Sequence, residues 1–519
     1  MPLNSTSSSR FPSLARALVI FVSIVSLSFS IVSLVLSANQ PQVQSNLQLY
    51  QTDLNLQAAD FPVIPEGIDP ENLRTLQTAL LGDDPYATAA KQYREARDNA
   101  RETIVTLREN APNVSLRRRG NPLYEEINLL TEIEIKLGTI EASRGKTAEA
   151  LQIWRSVIEN SDEVAYKPAL AKKALLLEGL YSDPPRVEEG TEARIQRSFR
   201  GWFRYVALEK LYAIQNRSED LETLQREEAE RAIGAIGKLL IVSLLPIGAA
   251  SIGIVILLVL VVQFFVRKER SLLYIGDRLS WETPWDWYTL CLGLGIGFFF
   301  VGQIALPLVF GGLWALLSID PGSFNLQYKA VYIVFSYLAM TIAGLTILYL
   351  SLAPFRPLPA HWFPFRWGSR WILWGFGGYF VALPLVIVVS LINQQIWHGQ
   401  GGSNPLLMLA LESRDTFALL CFAFTATIAA PFFEEIIFRG FLLSSLTKYL
   451  PVWGAIVVSA LVFALAHQSL SEVLPLTTLG CILGFVYTRS RNLLASMLVH
   501  GLWNGGTLLS LFILGSSAN

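Results

Sequence analysis

Nine stretches of this sequence are apolar over a length comparable to a bilayer, and they dictate the fold class. They cover residues 17–37, 239–266, 287–317, 330–353, 371–393, 415–447, 452–468, 473–488 and 492–515. A helix needs about 20 apolar residues to cross the hydrocarbon core. It must be a helix because the backbone there has no water to bind and pairs with itself. The expectation is an all-α polytopic membrane helix bundle of about nine spans, one N-terminal anchor plus eight, with 473–488 the shortest. The first run holds 21 residues, longer than the roughly 7–15 apolar residues of a signal peptide. That favours an uncleaved anchor, with cleavage near Ser37 as the alternative.

The charges are not spread evenly. Of 519 residues, 52% are hydrophobic and only 16% charged, against about 25% charged in an ordinary soluble domain. This excludes a disordered chain and a nucleic-acid-binding protein. Residues 38–235 hold 32 acidic and 25 basic side chains, while the other 321 residues hold 10 and 16. The near-neutral total therefore conceals an acidic soluble block set into a basic, apolar remainder. Basic residues favour the cytoplasmic side. Arg10 and Arg16 place the N-terminus in the cytoplasm and residues 38–235 on the extracytoplasmic side. Arg267–Arg270, then Arg356, Arg366 and Arg370, then Lys448, Arg489 and Arg491 all fall on the cytoplasmic side in the same count. The expected division is an anchor at 1–37, an extracytoplasmic α-helical domain at 38–235, membrane helices at 236–400 and a C-terminal core at 401–519.

Residues 38–70 are rich in Gln, Asn and Pro and read as a linker. From about 71 to 232 apolar residues recur at helical spacing, as in Leu129, Ile133, Ile135 and Ile140, with breaks at Pro112, Pro122 and Pro184-Pro185. Leu137, Gly138, Ala150 and Trp154 resemble part of one tetratricopeptide repeat, without a second copy at the repeat period. Two readings stay open for this block: a module that docks a protein partner or substrate, and a helical spacer.

Cys291, Cys421 and Cys481 are scattered in apolar runs and form neither a disulfide framework nor a CxxC metal site. Of the four histidines, His361 lies in a Pro/Trp-rich loop and His398 in a Gly-rich one, and both read as interfacial residues. The other two, His467 and His500, lie in apolar runs. Ionisable groups in such runs are costly, about 2.5–3.5 kcal/mol for Asp, Lys or Arg at mid-membrane, and mark functional sites by default. They occur in three places here: Glu434-Glu435 with Arg439, Phe463 with His467, and His500 with Asn504. Glu435 and Arg439 are four apart and share a helix face, as a structural ion pair would. Glu434 is rotated by about 100° from Glu435 and left available. His500 and Asn504 also share a face. Counted at about 1.5 Å per residue, Glu434, His467 and Asn504 reach a similar depth, about 20 Å from the cytoplasmic side. A carboxylate and an imidazole at equal depth can deprotonate a water, and an imidazole and an amide can stabilise an oxyanion.

The order EExxxR, FxxxH, HxxxN over residues 405–515 resembles the CPBP family, which groups type II CAAX prenyl endopeptidases with bacteriocin-processing and Abi-type proteins. The resemblance implies an intramembrane endopeptidase acting on a membrane-embedded peptide or protein. It implies that Glu434 and His467 activate water, that His500 and Asn504 form the oxyanion hole, and that Phe463 packs the motif. It also implies no cofactor, because the family's chemistry is described as glutamate-dependent. The alternative is zinc held by Glu434, His467 and His500 as a His₂Glu set, although no HExxH occurs. Serine motifs of the GxSG or GxSxG kind are absent, as is an Asp pair within apolar helices; Asp286 and Asp415 sit at span ends. Two other functions use the same residues: a non-catalytic scaffold or immunity-type protein acting through its soluble block, and a transporter, for which no internal repeat speaks.

Overall fold

The computed structural model describes residues 13–39, 43–64, 69–110, 122–160, 168–276, 280–368, 370–397, 401–402, 409 and 415–515. Arg10, Pro112 and His398 lie outside the described residues. No strand occurs among the described residues. Eight helices are long and apolar enough to cross a membrane: Leu14–Leu36, Ser218–Arg270, Trp287–Leu316, Leu326–Phe355, Trp371–Trp397, Thr416–Leu446, Leu470–Ser490 and Leu493–Gly515. The fold is an all-α polytopic membrane bundle with an inserted helical segment.

The expected ninth span is shorter than the sequence suggests. Val452–Leu465 has 14 residues, about 21 Å of helix against a hydrocarbon core of about 30 Å. It stops because the chain turns through Ala466–Ser469, with Gln468 in the left-handed region at φ 54°. The turn hands the following residues to the next helix. That helix, expected to be the shortest, begins at Leu470 and runs 21 residues.

The chain divides into two compact units, 1–40 with 246–509 and 41–245 with 510–519. The division falls at Pro246, inside the continuous helix Ser218–Arg267.

The 41–245 unit is a stack of short helices. Pro70, Pro85, Pro122 and Pro168 each open one, where the missing N–H costs nothing. Asp69 Oδ1 accepts from the Glu71 N–H at 2.8 Å and Asp84 Oδ1 from the Ala87 N–H at 2.8 Å. In the helical pair Pro122–Ser143 and Thr147–Glu159, Trp154 is fully buried and its Nε1 donates to Ile135 O at 3.1 Å. Gly138 is needed there, since a Cβ would lie 2.4 Å from Trp154 Nε1. The segment expected as a linker is in fact a helix, Val43–Ala59. Its leucines supply the reason: Leu54 and Leu56 are buried, and Lys136 Nζ reaches Asp53 Oδ2 at 2.7 Å. Gln48 and Gln51 lie on the helix's exposed face, while Gln57 is buried and its Nε2 donates to Glu228 Oε1 at 3.5 Å.

In the other unit, aromatic side chains form the centre: Phe298, Phe433, Phe438, Phe441, Phe463, Trp285 and Tyr487 are among its buried members. One end collects the basic residues. Lys448 Nζ donates to Trp285 O at 2.5 Å, Arg489 Nη1 to Tyr274 O at 3.2 Å, and Arg491 lies 3.7 Å over the Trp281 ring. Arg16 stands 5.4 Å over Tyr288, and Asn492 Nδ2 donates to Arg366 O at 2.8 Å. His361 offers its carbonyl to Trp281 Nε1 at 3.3 Å, an ordinary loop contact. Asp286 and Asp415 cap their helices, accepting from the Thr289 N–H at 3.3 Å and the Ala418 N–H at 2.8 Å. The three cysteines are free, partly buried thiols.

The N-terminal helix is built into this unit. It presents Ser23, Ser26, Ser30 and Ser37 inward, all buried. Ser23 Oγ donates to Cys291 O at 3.2 Å, and Ser30 Oγ to Gln303 Oε1 at 2.8 Å. The Leu470 N–H donates to Ser37 Oγ at 2.9 Å.

Candidate active site

The helix that carries both glutamates is irregular for a reason legible in its sequence. The Ala430 N–H bonds to Thr425 O, one residue further back than in an α-helix, and Pro431 has no N–H to offer. Ala426 O is thereby left without a helical donor. Asn504 Nδ2 donates to it at 2.7 Å. One amide hydrogen of Asn504 thus repairs the neighbouring helix, and the second remains for other use. Close approach makes this bond reachable: a Cβ on Gly501 would lie 2.7 Å from Thr427 O.

A second widened stretch, Glu435–Leu443, follows after one α-helical turn, Ala430–Glu434. Single wide turns of this kind cluster at functional sites. Here Ser459 Oγ donates to Phe438 O at 2.8 Å and Ser444 Oγ to Arg439 O at 3.1 Å. Glu435 and Arg439 are both fully buried, with Arg439 Nη1 donating to Glu435 Oε1 at 2.9 Å. The guanidinium also lies 4.3 Å over the Phe463 ring, and its Nη2 reaches Gly480 O at 3.4 Å.

Glu434 points elsewhere, as the rotation between adjacent helical residues requires. Its Oε1 accepts from the Tyr337 hydroxyl at 2.9 Å. Its Oε2 is buried without a hydrogen-bond partner and lies 3.9 Å from His500 Nε2.

His500 is the junction. Its Nδ1 donates to Glu435 Oε1 at 2.9 Å, which turns Nε2 toward Glu434. Glu435 therefore serves two donors, Arg439 and His500, where the spacing alone suggested only the arginine. His467 lies in the turn after the Val452–Leu465 helix rather than within a helix. Its Nδ1 bonds to Phe463 O at 2.9 Å. A carbonyl only accepts, so Nδ1 carries a proton, and in the corresponding neutral tautomer Nε2 is the acceptor. The ring closes off one of the last-turn carbonyls that a helix C-terminus leaves unpaired. Phe463, fully buried, touches both imidazoles, with ring centroids 4.8 Å from His467 and 5.6 Å from His500.

These contacts join Glu434, Glu435, Arg439, Phe463, His467 and His500 into one cluster, with Asn504 one turn along from His500. Two members were missed from sequence. Tyr337 is one tyrosine among many in apolar runs and carries no distinguishing pattern. Gln303 could have been found, as the lone amide in the run 287–317. Its Nε2 donates to Ala466 O at 3.0 Å, and Gln468 Nε2 donates to its Oε1 at 3.0 Å. Gln303 thus ties down the turn that holds His467. Among the described residues, no three His, Cys, Asp or Glu side chains form a group able to hold a metal ion.

Comparison with known proteins gives this cluster a context. The family model for type II CAAX prenyl endopeptidase Rce1-like proteins matches residues 416–506, which contain every residue of the three motifs. "Putative membrane peptidase YdiL" of Bacillus subtilis is 25% identical over 211 residues, covering 40% of this chain and 81% of that protein. "Membrane-embedded CAAX protease MroQ" of Staphylococcus aureus is 28% identical over 140 residues, 26% of this chain and 56% of that protein. "UPF0177 protein YxdF" of Lactococcus lactis is 30% identical over 155 residues, 28% of this chain and 81% of that protein. No solved structure matches the chain. The matched family and the two relatives named as membrane peptidases support an intramembrane protease activity. The chain belongs to the CPBP family. Its substrates fall in the class of membrane-associated peptides or proteins.

Proposed function

We propose that this protein hydrolyses a peptide bond of a membrane-associated substrate with water activated by Glu434 and His467, without a metal. The observation that carries the reading is the unequal state of two adjacent glutamates. Glu435 is held through Oε1 by both Arg439 and His500, whereas Glu434 has only the Tyr337 hydroxyl on its Oε1; Oε2 of each is buried without a hydrogen-bond partner, and that of Glu434 faces His500 Nε2 at 3.9 Å. An unpartnered buried carboxylate oxygen is costly, and a bound water would satisfy it. As the water oxygen bonds to the scissile carbonyl carbon, its proton passes to Glu434, and the carbonyl electron pair moves onto oxygen. His467 Nε2 accepts a hydrogen bond from the same water. His500 Nε2 and the second amide hydrogen of Asn504 donate to the oxyanion. For Nε2 to donate while Nδ1 holds Glu435, the ring carries both protons, and the Glu435 carboxylate supports that charge. Collapse breaks the C–N bond as the proton on Glu434 is given to the departing amine.

The test is Glu434→Gln in purified protein. Expected are loss of cleavage and an unchanged melting temperature. Cleavage at the wild-type rate, or full cellular function from the variant, would transfer the work to the scaffold reading. Chelation followed by Zn²⁺ addition separates the two mechanisms: activity lost and then restored would establish a metalloprotease. Comparing membrane-protein fragments from cells carrying wild type and Glu434→Gln identifies the substrate.

The same-end clustering of Arg16, Arg366, Lys448, Arg489 and Arg491 supports an N-terminus in the cytoplasm and residues 38–235 across the membrane. Labelling single cysteines at the helix ends from either side of sealed vesicles tests it.

A further inference from the structure

Tyr337 lies on the Leu326–Leu352 helix, ahead of the segment 416–506 that the family model covers. It is 97 residues from Glu434 in sequence, yet its hydroxyl donates to Glu434 Oε1 at 2.9 Å. The ring is fixed in turn: it packs edge-on against Phe433, with centroids 6.3 Å apart and planes at 86°. Phe433 itself is fully buried and stacks on Phe298 at 5.8 Å. The hydroxyl is therefore aimed by a packed aromatic column.

A carboxylate has two equivalent oxygens and a soft terminal torsion, so a free glutamate presents either one. A single fixed donor removes that equivalence. With Oε1 held by Tyr337, Oε2 is the oxygen left to face His500 Nε2. Without Tyr337, Glu434 is free to swing and make a direct bond to His500, which would close the space a water needs.

We propose that Tyr337 is a positioning residue for peptide hydrolysis: it fixes the Glu434 carboxylate so that Oε2 is the oxygen that takes the proton from water. This rests on Glu434 being the base. The tyrosine proton stays on its own oxygen throughout. The water proton travels to Oε2 as the C–O bond forms, and from Oε2 to the leaving nitrogen as the C–N bond breaks.

The experiment uses full-length protein in detergent micelles and an internally quenched peptide library as probe. It compares Tyr337→Phe, Glu434→Gln and the double variant. Tyr337→Phe keeps the ring and its packing, so the melting temperature is expected to stay within a few degrees of wild type. Its kcat is expected to fall about 10- to 100-fold, the cost of a misplaced reacting group, with apparent KM within twofold. In the Glu434→Gln background the same change is expected to have no further effect on residual activity. Three results overturn the proposal. Wild-type kcat in Tyr337→Phe beside an inactive Glu434→Gln removes Tyr337 alone. An equal fractional loss in both backgrounds assigns Tyr337 a merely structural role. An active Glu434→Gln removes the reading beneath it.

Discussion

His500 stands between two glutamates that are adjacent in sequence, with Nδ1 2.9 Å from Glu435 Oε1 and Nε2 3.9 Å from Glu434 Oε2. The two carboxylates are then expected to respond oppositely to mutation. Glu435→Ala leaves Arg439 and His500 buried without their shared anion, which costs about 3–5 kcal/mol. Poor membrane accumulation and a strongly lowered melting temperature are expected, whereas Glu434→Gln melts with the wild type. Equal melting of the two variants would contradict the assignment of Glu435 to structure.

Phe463 touches both imidazoles and lies beneath the Arg439 guanidinium. Phe463→Ala is expected to lose about 3–5 kcal/mol, as large aromatic truncations in cores do. Phe463→Leu keeps most of the volume and loses mainly the cation–π contact, worth about 0.5–2 kcal/mol. Thermal unfolding in detergent should rank the two in that order.

A methyl group at Gly501 would meet the Thr427 carbonyl at 2.7 Å, while at Gly505 the nearest atom is Thr427 Cγ2 at 3.4 Å. Gly501→Ala must push apart the helices that carry Asn504 and Ala426. It is expected to cost about 1–3 kcal/mol and at least tenfold in kcat. Gly505→Ala is expected to be mild in both assays. The pair of kinetic and melting measurements checks both.

In the 41–245 unit, burial pushes the Asp60 carboxyl up from 3.8 to about 6, against the lowering effect of the Trp202 N–H at 2.8 Å. Burial alone pushes Glu126 up from 4.5 to about 7. A raised folded-state value for an acid means the folded form binds more protons than the unfolded form. Stability is then full below the unfolded value and is lost as pH rises through the folded one. For Asp60 that loss spans about pH 4 to 6 and amounts to roughly 3 kcal/mol. Amide exchange across residues 43–215 of the intact protein should show slower opening at pH 5 than at pH 8. Asp60→Asn should flatten part of that dependence; an unchanged profile would contradict it.

Gln303 holds the carbonyl of Ala466, next to His467, and accepts from Ser30 and Gln468. Gln303→Leu preserves size but frees the turn. A kcat loss of about tenfold, with fold and melting temperature largely kept, is the expected kinetic outcome.

The long apolar runs announced the bundle, because a bilayer leaves a chain little choice but helix. The pairing of Glu435 with Arg439 followed from a four-residue spacing. The partnership of Glu435 with His500 did not, because it joins helices 65 residues apart in sequence, and no local period reports which helices will touch. The end of the helix at Leu465 was obscured for a similar reason. Ala466 and His467 continue an apolar pattern, and only the backbone reversal at Gln468 shows that the helix has ended. Val43–Ala59 was misread as a linker because its polar composition outweighed four well-spaced leucines. Tyr337 offered no signal, since its importance lies wholly in what it meets.

The serine-lined face of the N-terminal helix bears on how the protein is made. Ser23 and Ser30 find their acceptors on the helix beginning at Trp287, and Ser37 finds its donor at Leu470, 433 residues downstream. The span that carries these serines is thus synthesised 433 residues ahead of Leu470, the partner of Ser37. Until then its hydroxyls bond back to their own helix, as Ser26 Oγ does to Val22 O at 2.7 Å. The helix Ser13–Leu36 with Ser37 and the segment from Leu470 can join only once both have been made. A polypeptide stalled before Leu470 would hold Glu434 and His467 but lack His500 and Asn504, so the polar cluster closes only when the last helix, Leu493–Gly515, is made.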